Sequence, residues 1–362
     1  MTATRTPPQT REARPPVPRG PVVAGVELSA GAIRVVVGRR EESHLRVTGK
    51  GETSLPEGAV SGGLVADRTA AAEALRAAFA LAEHMARADR VSVAIDSDDT
   101  RTYHALTTFE REDSRQAVAA GEESRAMREA ASVAANRAAA ATEEDAALRG
   151  VATARLHDDV AALALDGRGL QSLVGHRGRV VEVWTDVTIA PLVVTGAVTA
   201  TLETARRRGS VVSGAYALGR LLAASGVTDA GVIRLGPDVT SLAVLRDGRV
   251  AGTRVFALGR SALAARAAKS KDDAKVWADC VVASLRGLDG PVPGRWIFVG
   301  VPEALLALPQ ALGDVIGEIR GDEIDITPLS VALASRVYGT DLRPDDLVAA
   351  GAAAIGAGIY EA

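Results

Sequence analysis

The chain has 362 residues, 47% of them apolar but only 3% aromatic, and a formal charge of −3. That length accommodates two ordinary domains or one large bilobed one, with cores built from Ala, Val and Leu. The charge balance excludes the basic bias of a general nucleic-acid binder, and the single cysteine, Cys280, excludes an internal disulfide framework and fits a reducing cytoplasm.

Residues 1–21 carry five prolines in their first eighteen positions, with Arg5, Arg11, Arg14 and Arg19 against Glu12. The segment has no apolar core of a secretory signal, and it predicts a disordered basic arm. No apolar run reaches the roughly 18 residues needed to span a bilayer.

Residues 22–106 predict a first lobe. "VVAGVELSAGAIRVVVGRREESHLRVTGKGETSL" gives three strands, the first two joined by a small-residue turn at Ser29-Ala30-Gly31. Asp67 is placed to cap the helix of "DRTAAAEALRAAFALAEHMARA", and "DRVSVAIDS" is a strand. Residues 107–210 predict an inserted module. Thr107–Glu144 reads as an exposed, partly mobile helix, and a small α+β unit follows, its closing helix stopped at Gly209.

Residues 211–362 predict a second lobe, opening on the helix of "VVSGAYALGRLLAASGV". "AGVIRLGPDVTSLAVLRDGRV" is then a strand, a Gly-centred turn, a second strand, an Asp-Gly hairpin and the start of a third. A helical stretch ending at Gly287, the strand "GRWIFVG", the helix "VPEALLALPQALGDVIG", a final strand in "EIRGDEIDITPL" and a small-residue helix complete it. Both lobes thus open on a three-stranded meander before their helices, a duplication of topology rather than of residues.

Two such lobes, each with a small-residue turn in its first hairpin, resemble the actin/sugar-kinase/Hsp70 fold, an α/β class with ribonuclease-H-like β-β-β-α-β-α lobes. "AGVELSAGAIRVVVG" resembles the first phosphate loop of the FtsA/PilM branch, and "GVIRLGPDVTSLAVLRDGRV" the second. "LHDDVAALALDGRGLQSLVGHRGRVVEVWTDVTIAP" resembles its inserted 1C subdomain, and "WIFVGVPEALLALPQAL" its adenosine loop. The likeness runs in order from about residue 22 to 359.

The resemblance implies a nucleotide site at Glu27, Ser29, Ala30, Gly31, Arg234, Gly236, Asp238, Thr240, Ser241 and Gly300, taking ATP and Mg²⁺. Several residues depart from the family pattern. Glu27 replaces the family Asp, Ser29 a glycine, and Arg234 the metal-positioning Asp; Pro237 removes an N–H from the second loop. A bound Mg²⁺ beside Arg234 would repel it by some kcal/mol even at an effective dielectric of ~20. Hydrolysis is therefore the activity expected to be lost, and no catalytic or metal-binding residue is assigned. The 26 positions from Lys269 to Arg295 are too few for the family's 2B subdomain, which is expected to be reduced or missing.

The expected function is an FtsA-like scaffold in division or envelope assembly. It would act on a tubulin-like division protein or other division and envelope proteins, possess a capacity for self-association, bind no nucleic acid, and reach the membrane only through a partner. An ATP-binding polymer-former and a PilM-like pilus or secretion adaptor are the alternatives. His176, Arg177 and Arg179 are candidate partner contacts. His157-Asp158-Asp159 reads as solvated surface, since adjacent strand residues face opposite ways. Trp184, Trp277 and Trp296 read as core fillers.

Overall fold

The computed structural model describes residues 20–265, 271–286, 288, 290–339 and 341–360. All but the last two residues of the Pro/Arg arm, and the helix stop expected at Gly287, lie outside them.

The first lobe opens on the antiparallel meander β1 (Val22–Ser29), β2 (Ala32–Glu41) and β3 (His44–Ser54). A small hairpin, β4 (Val60–Ser61) and β5 (Leu64–Val65), leads to helix α1 (Arg68–Ala82) and then β6 (Arg90–Ile95), which lies parallel beside β1. Asp67 caps α1, accepting the Ala70 N–H at 2.9 Å. The chain then builds β7 (Arg101–Glu110), α2 (Ala120–Glu144), β8 (Thr153–Leu165), β9 (Arg168–Leu170), β10 (Val180–Pro191) and α3 (Leu192–Thr204). Strand β11 (Ser210–Ser213) returns to the first sheet beside β6, and α4 (Gly214–Ala224) crosses to the second lobe.

That lobe repeats the plan with β12 (Ala230–Leu235), β13 (Thr240–Arg246) and β14 (Arg249–Phe256), followed by α5 (Arg260–Ala265) and α6 (Lys271–Leu285). Strand β15 (Arg295–Val299), α7 (Ala307–Arg320), β16 (Asp325–Pro328), β17 (Val337–Tyr338) and α8 (Leu347–Gly356) complete the chain. The strand orders are β3-β2-β1-β6-β11, with β17 added beyond β3, and β14-β13-β12-β15-β16. Both sheets therefore read third, second, first, fourth, fifth, which is the expected duplication. Between β14 and β15 the described residues hold only α5 and α6, so the 2B region is reduced.

Helices α4 and α8 form the hinge between lobes: α4 packs on β13 and β14, α8 on β1, β2 and β6, and the two pack on each other. Small residues make this contact possible. A Cβ on Gly25 would lie 1.8 Å from the Ala349 carbonyl oxygen, and one on Gly351 2.5 Å from that of Ala217. Large aromatic side chains are unnecessary where backbones approach this closely, which fits the 3% aromatic content.

The structure corrects several expectations. Residues 107–110 are the end of strand β7, and α2 is no loose helix: it lies on β7 and β10 and buries Ala130, Ala134, Ala138 and Thr142. A stripe of small side chains every fourth residue lets a helix sit close on a sheet without bulky apolar groups. Helix α3 stops at Thr204, and Arg206 rather than Gly209 takes the left-handed turn, at φ 57°. Residues 211–213, read as the start of a second-lobe helix, belong with Ser210 to β11 of the first sheet. In "EIRGDEIDITPL" only Asp325–Pro328 is strand; its first residues end α7, which Gly321 caps at φ 75°. Trp277 and Trp296 are fully buried, whereas Trp184 is a half-buried platform with the Arg249 guanidinium 4.5 Å above its ring.

The inserted sheet, ordered β7-β10-β8-β9, is fastened to the second lobe by that pair and by a buried hydroxyl chain. Thr253 of β14 donates to Thr102 of β7 at 3.0 Å, and Thr102 lies 3.1 Å from Thr188 of β10. Among the described residues no helix is long and apolar enough to cross a membrane.

Candidate functional site

The two first hairpins point their turns at each other across the cleft. A two-residue turn at Ala30-Gly31, with Gly31 at φ 85°, pairs Ser29 with Ala32 and Glu27 with Arg34. In the other lobe the Gly236 N–H bonds the Val239 carbonyl at 2.9 Å. The carbonyls of Gly236 and Pro237 accept the first N–H groups of α5, from Arg260 and Ser261. The second loop therefore uses its polar groups internally rather than presenting a row of N–H donors to an anion.

Glu27, Ser29, Ala30, Arg234 and Asp238 line one cavity with Gly63, Asp96, Gly214 and Pro237. Its volume is only ≈ 10 Å³, about one water molecule. The Arg234 guanidinium fills the centre. It forms an ion pair with Glu27 of the opposite lobe and lies 3.6 Å from Asp96 Oδ2. The Gly62 N–H donates to the Asp238 carboxylate across the same cleft. Burial pushes Arg234 down to about 10, still far above neutrality, so it remains a cation. Burial also raises the Asp96 carboxyl, partly offset by hydrogen bonds from the Ala215 N–H, at 2.8 Å, and from Ser241 and the Gly214 backbone.

The other expected members face elsewhere. Gly31 is exposed on the turn and Gly236 is closed within its own. Thr240 points into the second-lobe core, donating to the Leu258 carbonyl at 2.6 Å and accepting from Trp277 Nε1 at 3.0 Å. Gly300 takes φ 74° after β15, outside the cavity. Mg²⁺ and ATP do not fit these residues: a tethered cation holds the centre, and the space left is far below that of a triphosphate.

Sequence reasoning missed Asp96, Arg34, Glu52 and Gly62. Asp96 ends an apolar strand, the position where open α/β sheets carry ligand-facing residues. Arg34 and Glu52 follow from hairpin register, since Glu27 opposes Arg34 and Arg34 opposes Glu52. Arg34 bridges both, at 3.4 and 2.8 Å.

His176, Arg177 and Arg179 are exposed in the β9–β10 loop, with Arg179 paired to Glu110. Solvated surface describes Asp158 but not its neighbours. Asp159 takes Arg220 Nε at 2.6 Å and the Tyr216 hydroxyl at 2.8 Å, while the His157 ring packs 4.8 Å from that of Tyr216. This cluster joins β8 to the hinge helix α4. Burial lowers His157, and both of its ring nitrogens are buried without a hydrogen-bond partner among the described residues. Burial and the two facing carboxylates raise Tyr216.

Beside the cluster runs a groove of about 620 Å³ between the inserted sheet and the first lobe. Val160, Ala161, Leu163 and Leu170 form one wall and Arg336, Ile359 and Tyr360 the other. Strand β9 pairs only with Leu163–Leu165, so most of β8 has no strand partner on that side; Arg220 donates to the Val160 carbonyl at 3.4 Å, and the extra residue Ala161 bulges.

No family model and no curated protein matches the chain. Solved structures do. The structure titled "PilM-PilN type IV pilus biogenesis complex" is 17% identical, with a TM-score of 0.56 over 92% of this chain and 98% of that one. The ethanolamine utilization protein EutJ from Carboxydothermus hydrogenoformans is 14% identical, with a TM-score of 0.46 over 89% of each chain. A Bacteroides thetaiotaomicron protein with an actin-like ATPase fold is 10% identical, with a TM-score of 0.38 over 86% of this chain and 91% of that one. The likeness to the pilus-biogenesis structure, at a TM-score of 0.56 over nearly the whole of both chains, shows a shared fold.

Proposed function

We propose that the chain is a PilM-like adaptor of a pilus or secretion assembly, working in the cytoplasm without nucleotide and holding an extended segment of a membrane-anchored partner. The observation that carries this reading is the groove at β8. A partly unpaired strand edge beside a groove lined by apolar residues and by Arg40, Glu42, Arg220 and Arg336 suits a peptide that adds as a further strand. Its backbone hydrogen bonds would give affinity, and alternate side chains would enter the groove. Likeness along nearly the whole chain to a structure of a pilus-biogenesis complex supports it. The Arg234-filled cleft weighs against an ATP-driven polymer.

Photo-crosslinking in cells from Gln171, at the groove, tests the reading. Crosslinks to the cytoplasmic segment of an envelope-assembly membrane protein are expected. Crosslinks to a tubulin-like division protein would overturn the adaptor reading and favour an FtsA-like division scaffold, which rests on the motif likeness in the two phosphate loops and the 1C-like module.

A further inference from the structure

The charges around the cleft form one alternating series. Lys50 lies 3.2 Å from Asp346, Asp346 3.4 Å from Arg343, and Arg343 2.8 Å from Glu52. Glu52 pairs with Arg34, Arg34 with Glu27, Glu27 with Arg234, and Arg234 with Asp96. Four cations face four anions, so the series is neutral as a whole and no inner member can be removed without stranding a charge. Its middle is open to water at Arg343 and Glu52, while Asp346 toward one end and Asp96 at the other are buried. The two ends sit at the entrances of the two hinge helices: Asp346 immediately precedes α8, and Asp96 accepts from the second residue of α4. Arg234 is the only member supplied by the second sheet.

We propose that this ladder is a latch that holds the two lobes closed on its own, with Arg234 as its bolt. The hinge helices join the lobes on one side, and Arg234–Glu27, Arg234–Asp96 and Asp238–Gly62 join them across the cleft. Closure is then set by charges the chain carries, not by a ligand that comes and goes. This rests on the reading that nucleotide does not occupy the cleft, but it does not depend on what the groove binds.

The Gly62 amide, which donates across the cleft, is the natural reporter. Arg234→Glu places a third carboxylate between Glu27 and Asp96; it is expected to speed hydrogen exchange at Gly62 by about tenfold or more and to enlarge the radius of gyration in solution scattering. Arg234→Lys keeps a cation between Glu27 and Asp96 and is expected to hold exchange within about threefold of the parent. If Arg234→Glu does not fold, Arg234→Gln and Asp238→Asn provide the same comparison with smaller perturbations. Unchanged Gly62 exchange and unchanged size in the folded Arg234→Glu variant would overturn the latch, as would a folded Arg234→Lys variant that exchanges as fast as Arg234→Glu. Crosslinking from Gln171 in the parent chain separates the two ideas: absence of capture there removes the adaptor reading and leaves the latch standing.

Discussion

Tyr216 of α4 places its hydroxyl 2.8 Å from Asp186 of β10 and equally close to Asp159 of β8, so one phenolic proton on the hinge helix serves two carboxylates of the inserted sheet. Arg220 at 2.6 Å supports Asp159, and His104 at 2.7 Å supports Asp186. Tyr216→Phe leaves both carboxylates without that donor in a buried site. The expected loss is about 1–3 kcal/mol, read from urea denaturation.

His157 beside this cluster gives stability a pH dependence of known sign. Its folded value is depressed below 6.5, first by burial and against the pull of Asp159, Asp186 and Asp158. The unfolded chain therefore takes up the proton first. Stability is complete above pH 6.5 and is lost as the pH falls through it, by up to ~1.4 kcal/mol per pH unit, levelling below the folded value. Urea midpoints between about pH 7.5 and 5 measure the slope, and His157→Phe is expected to flatten it.

Arg234→Ala removes the cation between Glu27 and Asp96 and leaves Glu27 with Arg34 alone. Breaking a buried pair from one side costs ~3–5 kcal/mol, and a denaturant midpoint shift of that size is expected. Calorimetric titration of the parent chain with Mg·ATP is expected to show no heat of binding at about millimolar concentration, since the space beside Arg234 is ≈ 10 Å³.

Ala161→Arg fills the groove at the bulge without entering a packed core, because Ala161 is half-buried. Stability is expected to change by less than ~0.5 kcal/mol, while crosslinking from Gln171 falls by about tenfold. Retained capture at full strength would locate the partner elsewhere.

Gly25→Ala tests the hinge packing. The added methyl would meet the backbone of α8 at 1.8 Å, where no side chain can swing aside. A cost of about 3 kcal/mol or more is expected from thermal or urea unfolding.

The strand meanders, the turn residues and the duplicated plan were all readable in the sequence, because period-2 apolar runs and Asp-Gly or small-residue turns are local signals. Helix α2 was misread because alanine every fourth residue carries little hydrophobic signal, yet it packs closely. The site was readable only as a place. Glu27, Ser29, Ala30, Arg234 and Asp238 do meet at one cavity, but the sequence alone did not show that Arg234 reaches Glu27 of the other lobe. Asp96, Glu52 and Arg343 come from distant parts of the chain and are brought together by the fold. Glu52 illustrates this: burial pushes its carboxyl up, while Arg343 and Arg34, 291 and 18 residues away, hold it below its usual value.

The Arg234–Glu27–Asp96 cluster also constrains what position 234 can hold. An acid at position 234 would bring three carboxylates together in a space that holds about one water, and a neutral residue there would take from Asp96 its paired cation and leave Glu27 with Arg34. Either first step is strongly destabilising before any ligand could compensate. The arginine therefore cannot be exchanged alone: a different charge at this position requires coordinated changes at Glu27 and Asp96 rather than one.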